Sequence, residues 1–260
     1  MSGLLAWAAV TALAANHPIG HLQPQSWAVG AVLATGAALL PDLDHPQSTV
    51  SRTFGPLTQG ISGGVNTISA LVYRTTRTRR DSNRDGGHRG LTHTLVFALI
   101  SAVATTAVVQ TSQKWALPLL MFVFAGLAVR GIMNDWESKS DALLITVVSA
   151  AITWACIAWT AQTPASAAAC GAAVGIGCIA HYLGDAITEQ GCPMLWPIPL
   201  GGKTWFAVAP PKIMRMKTGG KVEMAVVGPI ITVLSVWLSA AALQQAGALP
   251  FLGGFDLLPV

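Results

Sequence analysis

Residues Trp27–Ser48 read WAVGAVLATGAALLPDLDHPQS, an apolar run that ends abruptly in two carboxylates and an imidazole. Charged groups at the edge of a membrane-like segment are costly to hold there unless they are paired or ligated. Asp42, Asp44 and His45 therefore pose two questions at once, what kind of fold carries the run and what the charges bind.

Composition settles the first. The chain is 52% hydrophobic and only 10% charged, against about 25% charged in an ordinary soluble domain. That is too little polar surface to cover 260 residues, and a soluble fold is excluded in favour of a polytopic membrane protein. No Gly/Ser-rich linker and no internal repeat divides the chain, so residues 1–260 read as one domain. The expected fold is all-α, a transmembrane bundle of about seven helices, over Leu4–Ala15, Trp27–Leu40, Leu91–Val109, Trp115–Gly131, Ala142–Ala161, Ala165–Ala186 and Val222–Gln244. Phe54–Tyr73, broken by Gly55, Pro56, Gly60, Gly63 and Gly64, reads as an interfacial or re-entrant segment. Met1–Ala15 lacks the basic start and cleavage site of a signal peptide and reads as a mature helix.

Seven crossings put Pro41–Gly90, Asn134–Asp141 and Ile187–Lys221 on the side of the N-terminus. Fourteen of the 15 Lys and Arg residues fall on or beside that side, and only Lys114 lies opposite. The positive-inside rule makes that side the cytoplasm, with the C-terminus outside. The net charge of +4 then needs no nucleic acid. The run YRTTRTRRDSNR, Tyr73–Arg84, has no interleaved aromatic platform for bases. Lipid headgroups are the partner it fits, at about 1 kcal/mol per basic residue.

Three groups converge on the same end: PDLDH after the second run, HRGLTH (His88–His93) before the third, and HYLGD (His181–Asp185) near the end of the sixth. They hold four of the six histidines and three of the 11 acidic residues. His181 and Asp185, four apart, share one helix face in an apolar setting. His88 and His93 are five apart and converge only if His88 lies in the loop before the helix, as Gly86, Gly87 and Gly90 allow. His45 precedes Pro46, which biases it away from helix. Imidazole and carboxylate ligands suit zinc, manganese or iron, and aspartates can bridge two ions. His17 and His21, in the loop at the other end, read as solvated.

ALLPDLDHPQS, GHRGLTHT and HYLGDAITEQGCPMLWPI resemble, in order, three signature blocks of the YdjM family, the LexA-regulated, membrane-bound metal-dependent hydrolases. The resemblance spans about Ala37 to Lys212. It implies metal roles for Asp42, Asp44, His45, His88, His93, His181 and Asp185, and a distant similarity to zinc-dependent phospholipase C and single-strand nucleases, whose sites bind several zinc ions. The family usually carries a histidine just before a segment like SGLLAW, where this sequence has Met1. The expectation is either a start upstream of Met1 or a site with one ligand fewer.

Other features are weaker. Arg89 could clamp a phosphate oxygen or serve as a lipid anchor, Ser48 is a hydroxyl near the site, and Thr92 reads as a helix cap. No serine-hydrolase elbow, Walker loop or Rossmann fingerprint is present. Cys156, Cys170 and Cys178 read as small buried hydrophobes, and Cys192 is not taken as a ligand. The Pro/Gly-rich segment after it reads as a lid or rim over the cytoplasmic face, with Trp196, Trp205 and Phe206 at headgroup level. The expected activity is hydrolysis of a phosphoester, lipid-linked by its location, by a metal-activated water, with Asp44, His93 and Arg89 in catalytic roles and zinc, one ion or more, as cofactor; manganese and iron stay open. The alternative is a non-catalytic metal-binding scaffold or sensor, or a metal-ion transporter. A transporter should place ionisable groups near the bilayer midplane and on both sides of it, and here they gather at one end.

Overall fold

Seven α-helices form among the described residues, 1–14, 17–133, 139–161, 164–249 and 257–258, of the computed structural model. They are α1 (Ser2–Leu13), α2 (Pro24–Ala37), α3 (Pro56–Thr76), α4 (Leu95–Ile132), α5 (Lys139–Thr160), α6 (Ala167–Ala186) and α7 (Gly228–Gln245). Five helical stretches are long and apolar enough to cross a membrane: Pro24–Asp44, Leu95–Ile132, Ala142–Thr160, Ala167–Ala186 and Glu223–Gln245. The helix Ser2–Leu13 is apolar but shorter. No strand forms among the described residues, only isolated bridges such as Cys192 to Val208.

The 38-residue α4 would be about 57 Å long if straight, nearly twice the roughly 30 Å hydrocarbon core. It is not straight. Ser112 has φ −145° and ψ 37°, outside the helical region, in the polar break Gln110–Lys114 between the two expected runs. The chain folds back there. Near the start of α4 the Leu95 N–H donates to Met194 O at 2.9 Å. Near its end the Arg130 Nε–H donates to Thr49 O at 3.3 Å, and Gly131 lies against Leu39. Thr92, just before the start of α4, also reaches Asp44, so both ends sit beside the loops that follow α2. Gln113, at the bend, donates to Ala165 O at 2.9 Å, at the start of α6.

The centre is built by close helix approach through small residues, the way apolar helices associate without a hydrophobic drive between them. A Cβ on Gly36 would stand 2.1 Å from the Phe124 carbonyl oxygen, and one on Gly177 2.4 Å from Ala34 O. These contacts bring α4 and α6 onto α2. Trp7 is fully buried, and its Nε1–H donates to Trp27 O at 3.1 Å, while Trp27 Nε1–H reaches Thr11 Oγ1 at 2.8 Å. By contrast α5 and α7 bury little and turn apolar side chains such as Leu143, Trp154, Val233 and Val236 outward.

Helix α3 is inside out. Its buried residues are Thr58, Ser62, Ser69 and Tyr73, and its exposed ones include Leu57, Ile61, Ile68 and Leu71. A polar face turned to the protein and an apolar face turned away is the pattern of a helix lying at a membrane surface. The segment is a regular 21-residue helix and not a re-entrant loop, because Gly60, Gly63 and Gly64 sit on the open side where no neighbour interrupts it. Residues 134–138, part of the expected loop Asn134–Asp141, lie outside the described residues.

The segment after α6 folds over one end of the bundle as expected of a rim. Asp81 accepts from the N–H groups of Thr78 (2.7 Å), Trp205 (3.0 Å) and Thr204 (3.3 Å). Trp196 and Trp205 stack at 5.0 Å, and both indole N–H groups reach Thr76 Oγ1. Trp205 is buried against Tyr73, so it is a brace for the rim and not a headgroup anchor.

Candidate metal centre

Tight turns position the site. Pro41 opens a 3-10 turn, Pro41–Asp44, directly after α2. Leu91–His93 forms a second, which delays the start of α4 to Leu95, with Thr94 as its N-cap, accepting from Phe97 N–H at 3.2 Å. His88 lies in the loop before it, the one placement that lets it meet His93. His181 and Asp185 project together from the last turns of α6. The Leu91–His93 turn is clamped by Tyr182, whose hydroxyl donates to Thr92 O at 2.8 Å, and by Cys192, whose Sγ reaches His93 O at 3.3 Å.

Asp44 is the hub. It is fully buried, and its carboxylate meets His88 Nδ1 (2.7 Å), the Arg89 N–H (3.1 Å), the Thr92 hydroxyl (2.5 Å) and His93 Nδ1 (3.3 Å). Thr92 Oγ1 also lies 3.0 Å from His93 Nδ1. The single Thr92 hydroxyl proton goes to Asp44, so Thr92 accepts from a protonated Nδ1. That fixes the ring and directs His93 Nε2 to the opposite side, the arrangement by which a carboxylate orients a metal-ligating histidine. Asp44 thus stands behind His93, outside both groups of candidate donors. Thr92 belongs to the same network and does not cap α4, a role that falls to Thr94.

On that opposite side four donor atoms converge: His93 Nε2, His181 Nε2, Asp42 Oδ1 and Asp185 Oδ2. Five of their six separations are 3.3, 3.5, 3.6, 3.7 and 3.8 Å. Donors about 2.1 Å from a tetrahedral ion stand about 3.4 Å apart, so the closed triad of His93 Nε2, His181 Nε2 and Asp185 Oδ2, at 3.3, 3.5 and 3.7 Å, matches one face of a zinc site. Asp185 Oδ2 is buried with no hydrogen-bond partner, and an orphaned carboxylate oxygen is a costly thing to bury. The donor set therefore fits a divalent ion. Asp42, His88 and His93 make a second group able to hold one, sharing His93 with the triad His93, His181 and Asp185.

Arg89 is neither a lipid anchor nor a free clamp. Its side chain is mostly buried; Nη2 pairs with Asp185 Oδ1 at 2.9 Å and Nη1 donates to Gly191 O at 2.9 Å. It has φ +52°, the one non-glycine residue with positive φ among those described, a conformation that costs energy for a side-chain-bearing residue. This backbone geometry accompanies the Arg89 N–H bond to Asp44 while the guanidinium holds Asp185. Burial pushes the His93 imidazole towards its neutral form, but hydrogen bonds and charge from Asp42 and Asp44 outweigh it and raise its pKa to about 9 in the metal-free chain.

Residues 1–141 and 142–246 match the YdjM inner membrane protein family. The chain belongs to that family. No curated protein and no solved structure matches it. In this YdjM-family chain the expected residues fall into three kinds. Asp42, His93, His181 and Asp185 meet as one cluster, with His88 at its edge. Asp44 and Arg89 stand behind them. His45 is brought close but into neither group: its ring lies edge-on to His88 at 4.8 Å, and its buried Nδ1 has no partner. Ser48 braces its own loop by donating to Asp42 O at 3.2 Å and accepting from Ser51 N–H. His17 and His21 are exposed beyond the far end of α1. Sequence reasoning missed Asn66, whose amide donates to Asp44 O at 2.7 Å, and Ser69, which holds the Gly86 and Leu91 backbone. The signal was present, since 58, 62, 66, 69 and 73 recur at helical spacing as polar positions of α3.

Proposed function

We propose that this protein is a metal-dependent hydrolase of the inner membrane that cleaves a phosphoester at the cytoplasmic face. The observation that carries the reading is that the four-donor cluster is not sealed: Asp42, His181 and Asp185 line a cavity of about 480 Å³. A bound zinc ion would supply Lewis acidity towards a phosphoryl oxygen and lower the pKa of a water towards about 7. Asp42, His93, His181 and Asp185 are the residues to hold it. Asp44 keeps His93 in the Nδ1-protonated form, and Arg89 keeps Asp185 Oδ1 occupied so that Oδ2 faces the cluster. Asp42, the most exposed donor at 31%, turns Oδ1 to the imidazoles and also lines the cavity. The cytoplasmic placement rests on the 14 basic residues at the end that carries the site.

A second reading, a structural metal site in a membrane scaffold, is favoured by the number of protein donors, since four close a tetrahedron and a catalytic zinc site usually uses three. The test is metal analysis of the purified protein beside hydrolysis of bis(p-nitrophenyl) phosphate and phosphate monoesters. Bound zinc with turnover that EDTA abolishes and zinc restores supports the hydrolase. Bound zinc without turnover of any of these esters favours the scaffold.

A further inference from the structure

We infer that the cavity beside the cluster is a tail-binding groove, and that the substrate class is a long-chain phosphate ester entering sideways from the bilayer between α1, α6 and α7. The inference rests on the hydrolase reading for its headgroup end and on independent observations for its tail end. One wall is the cluster itself, Asp42, His181 and Asp185. The others are largely apolar, with Ile187, Met216, Met224, Val227 and Ile231 among them. The cavity volume of about 480 Å³ lies in the range of about 300–1,000 Å³ typical of ligand sites.

Three features show which way it opens. The stretch Glu223–Gln245, α7 with the turn before it, is apolar and buries little of itself, and Met224, Val226 and Ile230 near its start are at least half exposed. That surface is a lipid-facing one. The turn before α7, Glu223–Val227, is π-helical, a widened form common at functional sites, and it supplies Met224 and Val227 to the groove. Pro229, which has no N–H to give, follows it. Finally, Gly184 lies beside Asp185 on the groove wall, and a Cβ built on it meets nothing within 4 Å. The groove is therefore open along α6 up to the donors. A cation-binding end joined to an apolar trough is complementary to an anionic headgroup with a hydrocarbon tail, and to neither a free phosphate nor a neutral lipid.

The test uses the zinc-loaded full chain in detergent micelles and hexadecyl phosphate carrying a diazirine at the end of its chain. Photolabelling should map to the walls named above, chiefly on α7, and should be at least about tenfold weaker for the matching hexadecanol probe, which lacks the phosphate. Gly184→Leu fills the groove at a site where the added side chain meets no neighbour, and Ile231→Trp fills it from α7. Each should lower labelling by about tenfold or more, while zinc content stays as in the parent. Labelling that is unchanged in both variants, equal for the alcohol, or concentrated on α3 or α5 overturns the groove. Failure of the hydrolase reading registers separately, as absent turnover by the parent protein with the labelling pattern intact.

Discussion

Replacing Asp44 by Asn separates an orienting carboxylate from a ligand. The change removes the charge that receives His88 Nδ1, the Arg89 N–H and the Thr92 hydroxyl, and puts an amide N–H₂ where an acceptor stood. One of those donors must then face another donor in a fully buried place. Such a loss costs about 1–3 kcal/mol of stability. For the metal, His93 keeps its ring but loses the anion behind Nδ1, and an outer-shell change of this kind lowers affinity about 10- to 100-fold, or about 1.4–2.8 kcal/mol. Competition for zinc against a chromophoric chelator reads the affinity. His181→Ala and Asp185→Asn, which each remove one of four donors, should abolish measurable binding in the same assay. If Asp44→Asn abolishes binding as completely as Asp185→Asn, Asp44 is a ligand and the separation of the two shells drawn above is wrong.

Arg89→Lys keeps the charge but cannot span Asp185 Oδ1 and Gly191 O together; zinc affinity should fall about tenfold, and equal affinity would remove its positioning role. Because His93 has a pKa raised to about 9 in the metal-free chain, zinc must displace a proton there. Affinity should climb with pH by about tenfold per unit and level off near 9, and a flat profile between pH 6.5 and 8.5 would refute this. The sign for folding is opposite: charged His93 stabilises the metal-free fold fully below about 6.5 and loses that contribution as pH rises through 9, which thermal melts of metal-free protein should show. For topology, reporter fusions after Arg84 and Lys217 should read cytoplasm and a fusion after Gln245 the outside; a cytoplasmic signal after Gln245 would mean an even number of crossings.

Much of this was legible in the sequence because helical period and turn chemistry act locally. His181 and Asp185 had to share a face, and Gln110–Lys114 had to interrupt a run too long for one crossing. His88 and His93 could meet only across a loop. What the sequence could not show was which side of a carboxylate faces which partner. Asp42 and Asp44 alternate along one short turn, and only the fold decides that Asp42 looks into the cluster while Asp44 looks behind it. Arg89 misled for a related reason. A basic residue near a lipid surface usually reaches outward, and here a positive φ turns it in towards Asp185. Thr92 has the sequence position of a cap, just before a helical run, yet the intervening 3-10 turn moves the capping position to Thr94. Helix α3 was hard to place because its apolar stripe faces outward, the reverse of a soluble helix.

Charge balance bears on how many ions the centre holds. Asp42, Asp44 and Asp185 bring three negative charges to the cluster, and Arg89 returns one. One divalent ion with neutral histidines brings the sum to zero, whereas two leave an excess of two positive charges in a setting that solvates charge poorly. The two donor groups, Asp42–His88–His93 and His93–His181–Asp185, have one carboxylate each and share His93. His93 moreover has Nδ1 committed to Thr92 and Asp44, so it cannot serve both groups through separate nitrogens. The expected stoichiometry is therefore one zinc per chain in the resting protein, read by elemental analysis after dialysis. A second ion becomes affordable once an anion arrives to offset it, so a second equivalent should bind only in the presence of a phosphate ester or inorganic phosphate. Two tightly held equivalents in phosphate-free buffer would refute the single-ion centre and return His88 to the role of a full ligand.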